Sequence, residues 1–267
     1  EHKVRIVEAL KAKGHITAMT GDGVNDALAL KRSDIGVAMG ITGTDVARET
    51  ADMILTDDNF ASIVAAVEEG RTIYSNIRKF VYFLLSCNIG EVLVIFTAIM
   101  LRWEIPLLPI HLLWINLVTD AFPALALGVE KPEKQIMFQP PRDPKEPIVD
   151  RLMRTGIAIQ GIFITISTLS AFWYGWKHLD DLELGRTLAF ATLIVAELLR
   201  AHSSRSEKYS VASIGFFSNT SMLYATTFSF ILVLLVLYVP ALDAIFKTNP
   251  LTLGDWGVVI GLGVLPF

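Results

Sequence analysis

The sequence predicts a multi-pass α-helical membrane domain preceded by part of an α/β domain, and three of its features point there. Hydrophobic residues fill 52% of the 267 positions and charged residues only 19%, a balance too apolar for an ordinary soluble chain of this length. The apolar residues are unevenly spread: residues 1–79 mix polar and apolar positions, whereas long apolar runs dominate from Phe80 onward. In the first stretch, short β-prone runs alternate with glycine turns and helix-competent segments, the pattern of βα units. The division is expected near residue 70, with 1–70 soluble and 71–267 carrying about six membrane helices.

Val4, Val7 and Leu10, with Ile6 less well aligned, share one face of a helix over 4–13 that Gly14 ends. HITAMT (15–20) reads as a strand, Gly21-Asp22-Gly23 as a tight turn and ALALKR (27–32) as the helix after it. IGVAM (35–39) and ADMILT (51–56) are further short strands around the helix-competent TDVARET (44–50), which predicts a parallel sheet. From Asn59 a helical pattern runs through IVAAVEEGRTIYSNIRKF into the first apolar span with no proline to break it. One long helix is therefore expected to join the soluble part to the bilayer.

Membrane spans are placed at about 80–101, 107–129, 152–176, 186–202, 219–240 and 254–267. The last is shorter than the ~20 residues a crossing helix needs and is read as stopping inside its span. Lys and Arg gather before the first span (Arg71, Arg78, Lys79), after the second (Lys131, Lys134, Arg142, Lys145, Arg151, Arg154) and after the fourth (Arg200, Arg205, Lys208). The intervening loops carry fewer, which predicts a cytoplasmic soluble part. Trp103, Trp173, Trp176 and Trp256 fall near span ends, as an interfacial aromatic belt requires.

The net charge of −4 is small and scattered, so neither nucleic acid nor an acidic partner is suggested. The single cysteine, Cys87, excludes an intrachain disulfide and reads as a packed or lipid-facing thiol. The start, Glu1-His2-Lys3-Val4, has neither an initiating Met nor a signal-peptide core, and the expectation is a chain that begins in mid-domain.

TGDGVND (20–26) puts two carboxylates and an amide on the turn that leaves a strand, bracketed by glycines that let backbone approach a ligand. Such a turn suits Mg2+ and an anion together, with Asn25 and Asp26 at a helix start; the plainer reading is an Asx turn with a capped helix. The longer run TGDGVNDALALKRSDIGVAMGITGTDVARETADMIL (20–55) resembles the hinge motif and following strands of P-type ATPases. That resemblance implies a haloacid-dehalogenase-like, Rossmann-like fold for residues 1–70. It assigns Asp22 as the ligand of catalytic Mg2+, with Asn25 and Asp26 in support. EHKVRIVEAL resembles the family segment whose lysine neutralises the aspartyl phosphate, which gives that role to Lys3. A lysine and a magnesium site are the parts phosphoryl transfer from ATP requires. Leu28 stands where the family usually has proline, and no DKTGT occurs in the chain. The phosphoryl-accepting aspartate, the nucleotide and actuator domains and the first four membrane helices are thus expected in a missing amino-terminal portion of the same pump.

Acids inside membrane spans are costly and mark functional sites. Asn88 and Glu91 are three apart in the first span, Asn116, Thr119 and Asp120 fall at spacings of three and four in the second, and Glu197 lies deep in the fourth. All are oxygen donors, which suits a hard cation; separate interhelical hydrogen bonds are the plainer alternative. Pro106, Pro109 and Pro123 are expected to weaken the second helix and free backbone groups to line a cavity.

SCNIGEVLVIF and HLLWINLVTDAFPALALG resemble the fifth and sixth helices of sarcoplasmic-reticulum-type calcium pumps, and the span with Glu197 resembles their eighth. The resemblance implies one Ca2+ site from Asn88, Glu91, Thr119, Asp120 and Glu197, and part of a second from Asn116 and Asp120. Sodium-potassium pumps usually have Asp at the position of Asn116 and Pro at that of Gly90, and secretory-pathway calcium-manganese pumps generally lack the acid at Glu91. The implied function is Ca2+ transport driven by ATP through an aspartyl phosphate, with H+ returned by the same acids. The rivals are a Mn2+ or monovalent-cation pump and a cation-binding membrane module without catalysis.

Overall fold

The computed structural model describes residues 2–143 and 145–267. The chain divides into two units, Glu1–Gly70 and Arg71–Phe267.

The first unit holds α1 (His2–Ala12), β1 (Ala18–Gly21), α2 (Ala27–Arg32), β2 (Ile35–Met39), α3 (Asp45–Thr50) and β3 (Met53–Leu55). The strands form one parallel sheet in the order β1-β2-β3, with Thr20 opposite Val37 and Val37 opposite Met53. The helices between them make the crossovers that parallel strands need. Leu30, Ala38 and Ala47, all at 0% exposure, form its core with Met19 and Ala51 against them. The first strand starts at Ala18 rather than His15, because the Thr17 amide and hydroxyl both donate to Asp34 Oδ2, at 2.9 and 3.1 Å. After β3, Asp58 accepts from the Ile41 amide (3.0 Å) and from the amide and hydroxyl of Thr42 (both 2.7 Å). The bond from Ile41 leads in holding the Asp58 carboxyl down at about 2. Asp58 has φ 48°, a left-handed backbone that Asp and Asn tolerate better than most residues.

The 41-residue α4 (Phe60–Met100) is unbroken, as its lack of proline predicted. It is followed by α5 (Pro109–Trp114), a wide π-type turn over Ile115–Thr119, α6 (Ala121–Gly128), α7 (Arg151–Trp173) with a second π-type turn over Tyr174–His178, and α8 (Leu182–Ser203). The short α9 (Val211–Ile214), then α10 (Thr220–Tyr238), α11 (Pro240–Phe246) and α12 (Leu253–Gly263) complete the second unit. Asp150, Asp181, Asn219 and Thr252 cap α7, α8, α10 and α12 by accepting the third residue's amide. Pro109 occupies the first turn of α5, where no amide partner is lost. Of the three prolines expected to weaken this span, only Pro123 therefore lies where it removes a helical hydrogen bond.

Among the described residues, four helices are long and apolar enough to cross a membrane: Phe60–Met100, Pro109–Gly128, Arg151–His178 and Thr220–Tyr238. Of the other two expected spans, α8 contains Glu183, Arg186, Glu197 and Arg200, and α12 has only 11 residues. The second unit also carries many exposed large hydrophobics, Leu125 at 70% and Tyr224 at 77% among them, as a surface solvated by lipid does.

The buried centre is α8, which packs on α7, α12, α10 and α6; its Leu188, Ala189, Phe190, Ala191, Leu193 and Ile194 are all at 0% exposure. The π-type turn after α7 meets α8 through glycine: a Cβ on Gly175 would sit 2.5 Å from the Gly185 Cα. At one end of the bundle, Arg205 Nε pairs with Glu130 Oε2 at 2.7 Å, and both side chains are buried. Asn219 Nδ2 donates to the same carboxylate at 2.8 Å, and Arg205 also binds the Gly215 and Phe216 carbonyls. Arg78 bridges Asp150 and Glu207 nearby in sequence to these loops, at 2.7 and 3.0 Å. Beyond the end of α4 and at the end of α7, Phe172 stacks on Trp176, and Trp103 meets the edge of Trp176 and tilts against Phe172.

Two expectations follow from these contacts. Arg205→Met leaves the Glu130 carboxylate buried without its cation and is expected to cost roughly 3–5 kcal/mol; the double variant with Glu130→Gln should recover most of it, read from denaturant midpoints. Asp58 has a depressed pKa, so its contribution is present above about pH 4 and is lost as the pH falls toward 2. Asp58→Asn, which keeps the backbone preference, should lower the thermal midpoint at neutral pH, and the deficit should shrink over that window.

Candidate functional site

Three side chains from three helices converge inside the second unit. A sulfur of Cys87 on α4, a carboxylate oxygen of Asp120 between the π-type turn and α6, and one of Glu197 on α8 all lie within 4.8 Å of one another. All three residues are buried, Cys87 at 0% and both acids at 1% exposure. Among the described residues, no hydrogen-bond donor reaches any of the four oxygens of Asp120 and Glu197. Burying an ionised carboxylate without partners costs several kcal/mol. The pair therefore has to be neutralised by protons or by a cation.

The local sequence explains each placement. The buried stripe of α4 runs Phe83, Ser86, Cys87, Gly90, Glu91, Val94, Ala98, the three-and-four spacing of a helix face. Cys87 and Glu91 are thus one turn apart on the inner face, while Asn88 falls off the stripe, exposed, with its amide donating to the Leu84 carbonyl at 2.8 Å. On the second span, Pro123 has no amide to give to the carbonyl four residues back, that of Thr119. That oxygen instead accepts from Ser229 Oγ on α10 at 3.2 Å. The ladder widens here, with the Asp120 amide reaching the Ile115 carbonyl five residues back at 2.9 Å, and wide turns of this kind recur at functional sites.

The predicted donors are only partly gathered. Glu91 stands beside the group, and both its oxygens accept from Asn116 Nδ2, at 2.9 and 2.7 Å. Thr119 is buried next to Asp120, but its hydroxyl donates to the Ile115 carbonyl at 2.9 Å. Cys87 was not among the expected site residues. Its spacing of four from Glu91 was the signal that could have found it.

In the first unit, Lys3, Thr20, Gly21, Asp22, Asp26, Met39, Thr42 and Asp58 line a pocket of about 450 Å3. Lys3 Nζ donates to Asp26 Oδ1 at 2.6 Å. This bond raises the Lys3 pKa; burial pushes Asp26 up, but Lys3 and the Gly23 and Asp22 amides hold it below the usual range. Gly21 is needed for the approach, since a Cβ there would stand 2.5 Å from the Asp26 Cβ. Asp22 and Asn25 are exposed, and Asn25 is not part of the lining. The pocket can hold a hydrated hard cation beside a fixed ammonium, a pairing suited to an anionic ligand.

Comparison with known proteins adds the lineage. Residues 104–267 match the family described as cation transporting ATPase, C-terminus. The whole chain is 48% identical to a calcium-transporting ATPase of Bacillus subtilis, of which it covers 30%. Over 98% of its length it is 42% identical to the human calcium-transporting ATPase type 2C member 1, covering 28% of that protein. Over 96% it is 42% identical to the probable cation-transporting ATPase F of Mycobacterium tuberculosis, again covering 28%. The chain thus spans about three tenths of the length of these relatives. With its acids gathered among buried helices and its family match over 104–267, the chain belongs to the cation-transporting ATPases.

Proposed function

We propose that this chain forms the carboxyl-terminal part of an ATP-driven calcium pump, which moves Ca2+ across a membrane through an aspartyl-phosphate intermediate. The observation that carries the reading is the pair Asp120 and Glu197, two buried acids on adjacent helices that no donor among the described residues reaches. The names of the relatives from Bacillus subtilis and human bring calcium as the cargo. Glu91 and Asn116 extend the oxygen set, and both give up their mutual bond to a bound ion. Thr119 contributes once its hydroxyl or carbonyl turns inward, and Asn88 once its amide leaves Leu84. A Ca2+ ion takes six to eight oxygens in flexible geometry, so a set that rearranges on binding suits it.

Loss of the ion leaves the same acids in need of neutralisation, and H+ taken up by Asp120 and Glu197 supplies it. The cycle then returns protons against calcium. Helices α8 and α12 join the four apolar spans as fifth and sixth membrane segments. The soluble unit lies in the cytoplasm, a reading supported by Arg71, Arg78 and Arg205 all bonding loops at one end of the second unit.

The parallel sheet of the first unit supports a place within a haloacid-dehalogenase-like fold. Its pocket fits Mg2+ by donor chemistry, because carboxylate and hydroxyl oxygens dominate the lining. Asp22 would hold the ion, with Asn25 and Asp26 in support, and the bound ion would supply charge neutralisation for phosphoryl oxygens. Lys3 neutralises the aspartyl phosphate, and Asp26 keeps its ammonium in position.

In the full-length pump, Asp120→Asn should abolish calcium-dependent phosphorylation by ATP, while phosphorylation from inorganic phosphate without calcium persists. Normal calcium-dependent phosphoenzyme in that variant would overturn the reading.

A further inference from the structure

Cys87 brings to the acid pair a donor of a different kind. We propose that Cys87, Asp120 and Glu197 form a binding site for a thiophilic divalent cation of the Cd2+ or Zn2+ class; the inference rests on the cation-pocket reading above. Three independent features support it. The sulfur and the two carboxylate oxygens lie within 4.8 Å of one another, and one ion at ~2.0–2.5 Å from each ligand spans pairs up to about 5 Å apart. Both acids are buried with no donor among the described residues, so their oxygens are free to coordinate. Cys87 belongs to a buried apolar cluster with Phe83, Ala126, Leu127, Ala201 and Met222, which excludes the competing water.

The chemistry separates such an ion from calcium. On binding, the S–H bond of Cys87 breaks, its proton leaves to solvent and a metal–sulfur bond forms. With one carboxylate retaining its proton, the thiolate and the other carboxylate balance the dication. Thiolate is a soft ligand that selects Zn2+ and its heavier congener over hard ions, whereas Ca2+ is bound by oxygen and gains little from sulfur. Removing the sulfur should therefore weaken one class of ion far more than the other.

The test uses the purified full-length pump with cadmium chloride as the probe. Titration without calcium should produce a thiolate-to-cadmium charge-transfer absorption that includes a component lost in Cys87→Ser and Cys87→Ala. In both variants the ratio of Cd2+ to Ca2+ affinity should fall at least about tenfold, since loss of even an outer-shell partner of a metal ligand costs about that much; general misfolding would lower both affinities together. Cadmium binding to the wild-type pump without that absorption, or an unchanged ratio in variants that still bind calcium, would overturn the site. An absorption lost in Cys87→Ser but not displaced by excess calcium would keep the thiolate site and count against calcium occupying the same acids.

Discussion

Two carboxylates that no hydrogen-bond donor reaches among the described residues, buried between helices, are the constraint around which the second unit is arranged. In water each would be solvated at no cost. Away from water they are tolerable only when a proton or a metal ion supplies the missing charge. A site of this kind changes its affinity whenever its helices move, because its energy depends on a few oxygens sharing one small space. Glu91 is the exception that makes the point. It is also buried, but Asn116 donates to both its oxygens, so it is satisfied where Asp120 and Glu197 are not.

Holding unsatisfied acids in place requires that the rest be well satisfied. α8 delivers Glu197 from the centre of the bundle, surrounded by residues with no exposed surface. Asp120 is delivered by a defect: Pro123 frees the Thr119 carbonyl, Ser229 takes it up, and the ladder widens by one residue just before the acid. The helix ends contribute elsewhere, through side-chain caps on α7, α8, α10 and α12 and through the Glu130–Arg205–Asn219 cluster that ties two loops together. The first unit handles charge in the opposite way. Lys3 and Asp26 meet at 2.6 Å beside solvent, with Asp22 exposed next to them. There water and a counter-charge stabilise the acids, and the pocket stays open to a ligand.

Much of this was legible beforehand. The alternation of short apolar runs and glycine turns is enough to specify the strands of a parallel sheet, and IGVAM is a strand over the residues expected. The absence of proline from Asn59 onward is enough to specify a single long helix, because nothing in the backbone interrupts its hydrogen bonds. Of the residues that the i+3 and i+4 spacings grouped, Glu91, Thr119 and Asp120 are buried, whereas Asn88 and Asn116 are exposed. Less legible were the ends and exceptions: Pro109 starts a helix instead of weakening one, and α8 keeps four charged residues despite its central position.

What the sequence determined by itself was periodicity: which residues of one helix share a face, where a turn must fall and which chemical types sit in apolar surroundings. It did not determine what each face meets. That Cys87 stands by Asp120 and Glu197, that Asn116 satisfies Glu91, and that Arg205 finds Glu130 75 residues away were settled only by helix packing. Local spacing follows from the geometry of one helix, whereas a partner across the bundle depends on how several helices rotate and slide to fill their common interior.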